Sequence, residues 1–296
     1  MMMYPSRVSE IVRRFISSAA MRGDKVNVGL LLDKYVFVHE SGEIELRDQL
    51  RRLVGRTAPL RIPSRLFYLE AFDELLKRID CIANSLSYSS RQETLELVWR
   101  LVVNLGAASV YETSILLHRS FSIPYIPGSA LKGACRCWAL MKFQEHLKVE
   151  PSELEKKLEE GEDIDASLNL NVEGFPKLEL EFKDLIDMFG YKDSSGKVIF
   201  LDAVPLRPEK DFLVLDIMNV HYRDYYERGA FPGDWMNPNI VFFLAVEGLK
   251  FKFTLLAKEG YESLLDKAMA LLIEALEKIG VGAKTSVGYG YFRRVS

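Results

Sequence analysis

Residues 260–295 read GYESLLDKAMALLIEALEKIGVGAKTSVGYGYFRRV, and this stretch combines a helical pattern, a glycine-rich loop and a strand pattern. Apolar residues in its first half recur with a period close to 3.6, which predicts an amphipathic helix. The predicted buried face consists of Tyr261, Leu264, Leu265, Ala268, Leu272 and Ile279. Gly280 is predicted to end the helix, because glycine is favoured just beyond a helix C-terminus. The tail YGYFRRV predicts a closing strand.

The position of this loop excludes one class of phosphate-binding site. A nucleotide-binding P-loop has the pattern G-x-x-x-x-G-K-[ST] and lies after a strand and before a helix. Here the order is helix, loop, strand, and the motif reads G-A-K-T. The sequence therefore argues against a P-loop ATPase and leaves two other interpretations of the loop open.

The first interpretation is a binding site for an extended phosphate backbone. Backbone N–H groups of a glycine-rich loop can meet phosphates, Lys284 adds a positive charge, and Thr285 and Ser286 add hydroxyl donors. The second interpretation is a tight connection that needs glycines only in order to turn. That interpretation accounts for Gly280 and Gly288, but not for a Lys-Thr-Ser run between glycines.

Segments upstream of the loop alternate between strand and helix patterns. Residues 95–106, LELVWRLVVNLG, predict a strand with Leu97, Trp99, Leu101, Val103 and Leu105 on one face. A helix is predicted from Ser129, its candidate N-cap. Residues 196–208 predict a buried strand, and residues 239–258 predict a hairpin that turns at Glu247 and Gly248.

This order of elements predicts the fold class. Strand, helix, strands, helix and strand in succession indicate an α+β, ferredoxin-like domain with one antiparallel sheet and two helices. We assign it to residues 96–296, with an acidic insertion at about 146–195. Residues 1–95 are predicted to form a mostly helical N-terminal region, which includes a helix starting near Ser64.

The charge distribution permits a nucleic-acid partner despite a net charge of −3. Residues 147–187 hold 13 acids and 5 bases, a balance of −8, so the remainder of the chain carries +5. Residues 47–66 carry six arginines against Asp48 alone. A basic patch can therefore coexist with an acidic total. Solvated helix faces are the plainer explanation of the arginine cluster.

Composition predicts a cytoplasmic protein with no membrane association. The N-terminus carries no apolar run typical of a signal peptide, and no stretch approaches the length of a membrane span. The three cysteines, Cys81, Cys135 and Cys137, lack the spacing of a disulfide framework or of a metal site. We expect no cofactor and no metal.

Three motifs carry a resemblance to a known family. The loop GVGAKTSVGYGYF, residues 280–292, resembles the C-terminal glycine-rich loop of the RAMP superfamily, the RNA-binding subunits of CRISPR RNA-guided complexes. YIPGSALKGACR, residues 125–136, is similar to that superfamily's I-P-G-S-[SA]-[LI]-[KR]-G element at the start of the first helix. FLDAVP, residues 200–205, resembles its F-x-D-A strand.

Three further segments narrow the resemblance to the family of sixth subunits of the type III-B (Cmr) effector complex. They are residues 112–128, ETSILLHRSFSIPYIPG, residues 215–226, LDIMNVHYRDYY, and residues 234–239, DWMNPN. The last of them lacks the second proline of an N-P-N-P pattern. The resemblance implies a modified RNA-recognition fold. It also implies a non-catalytic subunit that holds guide RNA (crRNA) toward its 3′ end, contacts other Cmr subunits and meets target RNA through the complex.

The predicted RNA-binding residues come from two elements that, by this resemblance, face RNA together. A helix N-terminus exposes N–H groups and a positive dipole end, which favour phosphate. The full candidate set is Ser129, Lys132, Gly282, Lys284, Thr285, Ser286, Gly288 and Tyr289. Tyr289, Tyr291 and Phe292 are candidates for stacking on bases.

Two alternative functions stay open at this point. A metal-independent, guide-processing ribonuclease would need a histidine near the loop, and His118 is the best placed by sequence. Asp202 and Asp216 lack a second carboxylate at ligand spacing, apart from Asp224 eight residues after Asp216, so we interpret them as buried structural aspartates or as loop anchors. A scaffold that contacts only proteins is the other alternative, and it predicts no salt-sensitive retention of RNA.

Overall fold

The computed structural model describes residues 18, 24–33, 61–85, 88–109, 111, 113–220, 228, 229, 231, 233 and 239–295. The chain forms two compact units, each assembled from three stretches. The first unit comprises Met1–Leu69, Val102–Ile123 and Pro208–Glu247. The second comprises Glu70–Leu101, Pro124–Arg207 and Gly248–Ser296. Both contain helices and antiparallel strands, which confirms the predicted mixed architecture.

The elements alternate along the described part of the chain. The helices are α1 (Val28–Asp33), α2 (Glu70–Ser85), α3 (Gly128–Leu147), α4 (Pro151–Glu160), α5 (Phe182–Phe189) and α6 (Ser263–Lys278). The strands are β1 (Arg61–Ile62), β2 (Ser89–Leu97), β3 (Arg100–Leu101), β4 (Ser167–Leu170), β5 (Leu178–Glu181), β6 (Gly190–Tyr191), β7 (Ser194–Ser195), β8 (Val198–Phe200), β9 (Val204–Pro205), β10 (Leu213–Val220), β11 (Asn239–Glu247), β12 (Lys250–Ala257) and β13 (Phe292–Arg294). No helix within these described ranges has the length and apolar character needed to cross a bilayer.

The second unit is built on an antiparallel sheet in the order β13-β2-β12-β8, with β9 also paired to β12. In β12, Phe251, Phe253 and Leu255 are fully buried, as their alternation predicts. The Phe292 ring of β13 meets Phe251 and Phe253 edge-on, at centroid distances of 5.7 and 5.4 Å. These rings join the last strand of the sheet to its central strand.

The helix α6 is buried around more of its circumference than a simple amphipathic pattern predicts. Leu264, Leu265, Ala268 and Leu272 are buried as expected, and so are residues 269–271. Contacts with α3, α5 and β5 account for this, because they cover the side of α6 that the sheet leaves open. Gly280 follows the end of α6 with a φ of 71°, which confirms its predicted position beyond the C-terminus.

The acidic segment, residues 147–187, is folded and packs on α3. In α4 the apolar positions Leu154 and Leu158 are buried, and β4 and β5 form an antiparallel pair. A capping box begins α5, since Glu181 accepts from the backbone of Asp184 while the Asp184 carboxylate accepts from the backbone of Glu181. The Phe182 ring lies edge-on to Phe143 of α3 at 5.3 Å. Most acids of this segment therefore occupy the outside of a small apolar core.

The first unit contains an antiparallel arrangement in which β10 lies between β1 and β11. Phe67 packs on Phe212 at a centroid distance of 4.8 Å, and both are buried. The Arg61 guanidinium pairs with the Glu247 carboxylate at 2.5 Å. One of the two described arginines of the cluster in residues 47–66 therefore serves an ion pair within this unit.

The predicted bounds of β2 and of α2 need correction. The strand placed within residues 95–106 begins earlier, because β2 covers Ser89–Leu97, and the predicted boundary between residues 95 and 96 falls inside it. The strand is hard to see in the sequence because only Leu95 and Leu97 are buried. The helix expected from near Ser64 begins at Glu70 as α2, after a 3-10 turn at Ser64–Leu66.

The predicted hairpin at residues 239–258 is wrong. Both strands exist, but β11 pairs with β10, whereas β12 pairs with β2, β8 and β9. The connection at Glu247 and Gly248 therefore carries the chain from one sheet to another. A short turn between two alternating segments is compatible with either arrangement, and the choice depends on strand partners that are distant in sequence.

Candidate nucleic-acid interface

The glycine-rich loop is closed at its base by two of its glycines. The Val281 N–H donates to the Gly290 carbonyl oxygen at 2.9 Å. A Cβ atom at Gly290 would lie 1.9 Å from the Val281 carbonyl oxygen, so a larger residue would force the backbone apart. A Cβ atom at Gly280 would lie 3.0 Å from the Gly290 carbonyl oxygen. Gly280 and Gly290 are therefore structural, as the tight-connection interpretation expects for Gly280.

The inner part of the loop holds most of the predicted RNA-binding residues. It turns through Gly282, with a φ of 93°, Lys284, with a φ of 62°, and Gly288, with a φ of 98°. A 3-10 turn, Thr285–Val287, lies between Lys284 and Gly288. The left-handed conformation costs a residue such as Lys284 about 1 kcal/mol. Such strain concentrates at functional sites.

Backbone donors at the end of the loop are already used within it. The N–H groups of Val287 and Tyr289 donate to the Lys284 carbonyl oxygen at 3.1 and 3.3 Å, and the Gly288 N–H donates to Thr285 at 3.0 Å. A phosphate group on the loop would therefore have to be met by donors in residues 282–286. Ser286 is exposed there, and Thr285 and Lys284 are half-buried.

Tyr289 does not present its ring to solvent. Only 5% of the residue is exposed, and its ring lies against Trp99 with the centroids 4.7 Å apart. It is therefore a packing residue of the loop rather than an open platform for a base. Trp99, in contrast, is 44% exposed, although the sequence pattern placed it on the buried face of a strand.

Hydrogen bonds hold the loop to the connection between β2 and β3. The Val98 N–H donates to the Tyr291 carbonyl oxygen at 2.9 Å, and the Gly290 N–H donates to the Arg100 carbonyl oxygen at 2.7 Å. Together with the Tyr289–Trp99 contact, they fix the loop to the edge of the sheet. The alternating pattern around Trp99 did not predict this attachment, because it indicated a continuous strand, whereas residue 99 lies between β2 and β3.

The start of α3 is held by the strand region around Asp202. The Gly128 N–H donates to Asp202 Oδ1 at 2.8 Å, and Ile126 and Ala203 exchange backbone hydrogen bonds of 3.0 and 2.9 Å. A Cβ atom at Gly128 would lie 2.0 Å from the Phe200 carbonyl oxygen, so glycine is required by this close approach. The two motifs of residues 125–136 and 200–205 thus form one joint.

This joint changes the predicted role of Ser129. The N-cap of α3 is Pro127, and Ser129 is the second helical residue, exposed on the first turn. The Asp202 carboxylate already meets one N–H group at the positive end of the helix, where an anion is favoured. The N-terminus of α3 is therefore less open to phosphate than the sequence suggests, and the contact depends more on the Ser129 and Lys132 side chains.

Lys132 is half-buried on the same turn. Partial burial, and then the nearby Arg136 guanidinium, lower the pKa of the Lys132 ammonium from its ordinary value. Arg136 itself points to the acidic segment, with its guanidinium 2.9 Å from the Glu155 carboxylate. Of these two cations, Lys132 is thus the better candidate for a phosphate contact.

Strand register places the two candidate elements toward the same end of the sheet. Val204, beside the joint that holds α3, pairs with Lys252, which pairs with Thr94. Phe292, at the end of the loop, pairs with Leu97. The two levels differ by three residues along β2, roughly 10 Å along the strand direction at a rise of about 3.3 Å per residue. The two elements are also separated across the sheet, because β2 and β12 lie between β13 and β9.

Comparison with known proteins identifies the family. The model of the RAMP superfamily matches residues 59–293. A CRISPR system Cmr subunit Cmr6 from Pyrococcus furiosus is 32% identical over 280 residues, covering 83% of this chain and 79% of the relative. The chain belongs to the RAMP superfamily and, within it, to the Cmr6 family. A Cmr6 subunit from Saccharolobus solfataricus is 26% identical over 248 residues, covering 83% of this chain and 70% of that relative.

One solved structure contains a chain with a similar fold. A cryo-EM structure of the type III-B Cmr-β complex bound to cognate target RNA contains a chain similar to this one, with a TM-score of 0.55 and 18% identity. The match covers 97% of this chain and 90% of that one. A crystal structure of Cmr6 from Pyrococcus furiosus matches with a TM-score of 0.48 and 32% identity, over 71% of this chain and 99% of that one.

Two of the three basic residues at the end of this Cmr6-family chain are engaged within the second unit. The Arg293 guanidinium lies 3.1 Å from the Glu96 carboxylate, and that of Arg294 lies 3.4 Å from Glu93. Arg294 also lies over the Phe175 ring, 5.6 Å from its centroid. The positive charge of these two arginines is therefore largely balanced locally.

The histidine and aspartates considered for catalysis have local partners. The His118 ring stacks on Phe121 at 4.9 Å, and its Nδ1 accepts from the Ser120 N–H at 3.3 Å. Asp216 Oδ1 accepts from the Ile217 N–H at 2.8 Å, and Asp202 holds Gly128. Among the described residues, no group of three or more His, Cys, Asp or Glu side chains is arranged to hold a metal ion.

Some sequence predictions fall outside the described residues. Arg47, Arg51, Arg52 and Arg56 of the arginine cluster lie there, as does most of residues 221–238, which contributed to the family resemblance. The prediction of a helical N-terminal region also rests largely on such residues, with α1 and α2 as its described helices.

Proposed function

We propose that this chain is a guide-RNA-binding subunit of a type III-B (Cmr) CRISPR effector complex acting in antiviral RNA interference. Membership in the Cmr6 family supports the assignment to the complex. The geometry of the loop supports the binding role. Its outer glycines lock the base, while Lys284, Thr285 and Ser286 stand between Gly282 and Gly288 in a strained turn beside an exposed tryptophan. This arrangement is the observation that carries the proposal.

The second unit is proposed to be a ferredoxin-like, modified RNA-recognition domain with an acidic insertion. Its elements follow the order β2, α3, β8, β12, α6, β13, and its sheet has the order β13-β2-β12-β8. Strand, helix, two strands, helix and strand in an antiparallel sheet are typical of that fold. The acidic segment lies between α3 and β8, as an insertion in such a domain would.

Binding is proposed to depend on the RNA backbone rather than on base sequence. Contacts from backbone N–H groups, lysines and hydroxyls fix the position of a strand without reading its bases. A subunit that accepts any guide needs this kind of contact. We place the 3′ part of the guide on the loop and the first turn of α3. Other Cmr subunits are its neighbours in the cytoplasm, and target RNA reaches it through the complex.

The chain is proposed to have no catalytic activity and no cofactor. His118 is held in a tight turn by Phe121 and by the Ser120 N–H, which suits a structural histidine. Incubation of the purified chain with repeat RNA in the presence of EDTA tests this point. Cleavage that is lost in His118→Ala would establish the ribonuclease alternative instead.

The binding proposal is tested by a salt titration. The purified chain is expected to retain single-stranded RNA at low salt and to lose it as salt rises, with log K falling linearly with log salt concentration. A protein that contacts only other subunits would show no retention at any salt concentration. That result would reject the RNA-binding role while leaving membership of the complex intact.

A further inference from the structure

We propose that Trp99 stacks on a nucleobase of the RNA whose phosphates lie on the glycine-rich loop. This inference rests on the proposed function, and it adds a residue that the sequence motifs do not include. Trp99 follows β2 and is 44% exposed. Val98, which precedes it, and Val287 of the loop are also exposed. An exposed indole in an otherwise well-packed unit marks a binding surface.

The position of the ring is fixed by the loop. Tyr289 is buried beneath the tryptophan at 4.7 Å, and the hydrogen bonds of Val98 and Arg100 with the loop lie on either side of it. A Cβ atom at Gly288 would lie 3.8 Å from the Trp99 ring, so the loop backbone runs directly alongside the indole. A phosphate on the inner loop and a base against Trp99 would therefore belong to the same or adjacent nucleotides.

The residue types at this surface are those that bind single-stranded RNA. The Arg100 guanidinium lies 5.2 Å from the Trp99 ring centroid, and Lys284 lies in the adjoining loop. Proteins that bind single strands without sequence preference combine cations along the backbone with aromatic rings under the bases. Every base has a π-face, so stacking on Trp99 would hold any guide sequence equally.

The test compares variants of Trp99 on two RNA probes. The probes are a single-stranded RNA oligonucleotide and the same oligonucleotide with abasic positions throughout. Trp99→Leu keeps an apolar side chain over Tyr289 but removes the aromatic face, and Trp99→Phe keeps a smaller aromatic face. Met141→Ala, at an equally exposed apolar position in α3 of the same unit, is the matched control.

We expect Trp99→Leu to bind normal RNA about tenfold more weakly, Trp99→Phe to recover most of the loss, and Met141→Ala to bind as the wild type does. The salt slope of Trp99→Leu should be unchanged, because stacking releases no counterions. Wild type and Trp99→Leu should bind the abasic probe equally. Thermal melting of each variant confirms that the fold is retained.

Three results would overturn the proposal. Equal affinity of wild type and a folded Trp99→Leu for normal RNA would exclude stacking. Equal losses on both probes would show that Trp99 only shapes the loop. Normal RNA binding with failure to join the other Cmr subunits would make Trp99 a protein contact. Absence of RNA binding by the wild type would instead reject the proposed function on which the stacking rests.

Discussion

The Asp202 carboxylate accepts a hydrogen bond from the Gly128 N–H, 74 residues earlier in the chain, at 2.8 Å. It thereby fixes the first turn of α3 against the strand region that follows β8. Ser129 and Lys132 are positioned by this contact, although neither touches Asp202 through a described hydrogen bond. This hydrogen bond therefore joins the F-x-D-A motif, residues 200–203, to the P-G-S motif, residues 127–129.

Removal of the hydrogen bond between Asp202 and Gly128 should destabilise the second unit. Asp202→Ala is expected to lower the free energy of unfolding by about 1–2 kcal/mol, because it leaves the N–H of Gly128 without its charged acceptor. Asp202→Asn keeps an acceptor oxygen and should lose less. Urea unfolding at neutral pH measures both variants. Identical unfolding curves for wild type and Asp202→Ala would show that the contact contributes nothing to stability.

The inner and outer glycines of the loop should respond differently to substitution. Gly290→Ala forces a Cβ atom onto the Val281 carbonyl oxygen and should cost several kcal/mol of stability. Gly288→Val meets mainly the strain of a positive φ, about 1–2 kcal/mol, and Gly282→Val meets a strain of the same kind. At least one of these two should stay folded and lose RNA affinity by tenfold or more.

Thermal melting paired with RNA binding separates these effects. If both valine variants bind RNA in proportion to their folded fraction, the loop is a connector and not a cradle. A Gly290→Ala variant that melts like the wild type would contradict the close approach at the loop base.

The two lysines should each contribute to the salt dependence of binding. Lys284→Ala and Lys132→Ala are expected to weaken RNA binding similarly for different sequences and to lower the salt slope by about 1 each. Lys258→Ala is the control, since Lys258 follows the far end of β12 and its ammonium lies 3.0 Å from Ser195. An unchanged slope in both test variants, with the control also unchanged, would remove these lysines from the interface.

Charges of the acidic segment should have little effect on RNA binding, or a weakly unfavourable one. Deletion of residues 147–187 is unsuitable as a test, because it would uncover Phe143 where Phe182 packs. The exposed acids Glu153, Glu160 and Asp165 offer a cleaner variant in which all three become amides. RNA affinity should stay equal or rise slightly, since negative charge near phosphates repels them. A loss of more than about tenfold, 1.4 kcal/mol, in a folded triple variant would place the segment at the RNA.

The three cysteines should differ in reactivity. Burial raises the pKa of the Cys135 thiol far above its ordinary value, whereas Cys81 and Cys137 are exposed. The thiolate is the reactive form, so Cys135 should stay unmodified at pH 8. Titration with a thiol reagent should label two thiols in the native protein and the third only after unfolding. Rapid labelling of all three in the native state would mean that α3 is less tightly packed than its contacts indicate.

Elements with a strong local signal were predictable from the sequence. The helix α6, Gly280 beyond its end, the alternation in β12 and the closing strand β13 were all found, because periodicity and glycine preference are local properties. The membership in the RAMP superfamily was likewise predictable, since its motifs are contiguous in sequence. The pairing of the strands was not predictable. The β11–β12 hairpin and the start of β2 depend on partners far along the chain, which no local pattern specifies.

The candidate site was predictable in part. The sequence predicted that the loop residues bind RNA, which stays a prediction. It did not predict the burial of Tyr289 or the exposure of Trp99, because both follow from one ring contact between distant segments. The acceptor that Asp202 supplies to Gly128 was missed for the same reason. Sequence identified Asp202 as an anchor without giving its partner, and a short strand motif cannot tell which N–H group its carboxylate will reach.

The pairing of β13 with β2 has a consequence for synthesis of the protein. Arg293 and Glu96, which are joined across these strands, are separated by 197 residues. A ribosome that has made β2 must therefore add nearly two hundred residues before the loop can dock on Trp99. Contacts so distant along the chain form slowly. A nascent chain in which residues 280–292 have not yet been made consequently lacks the candidate site.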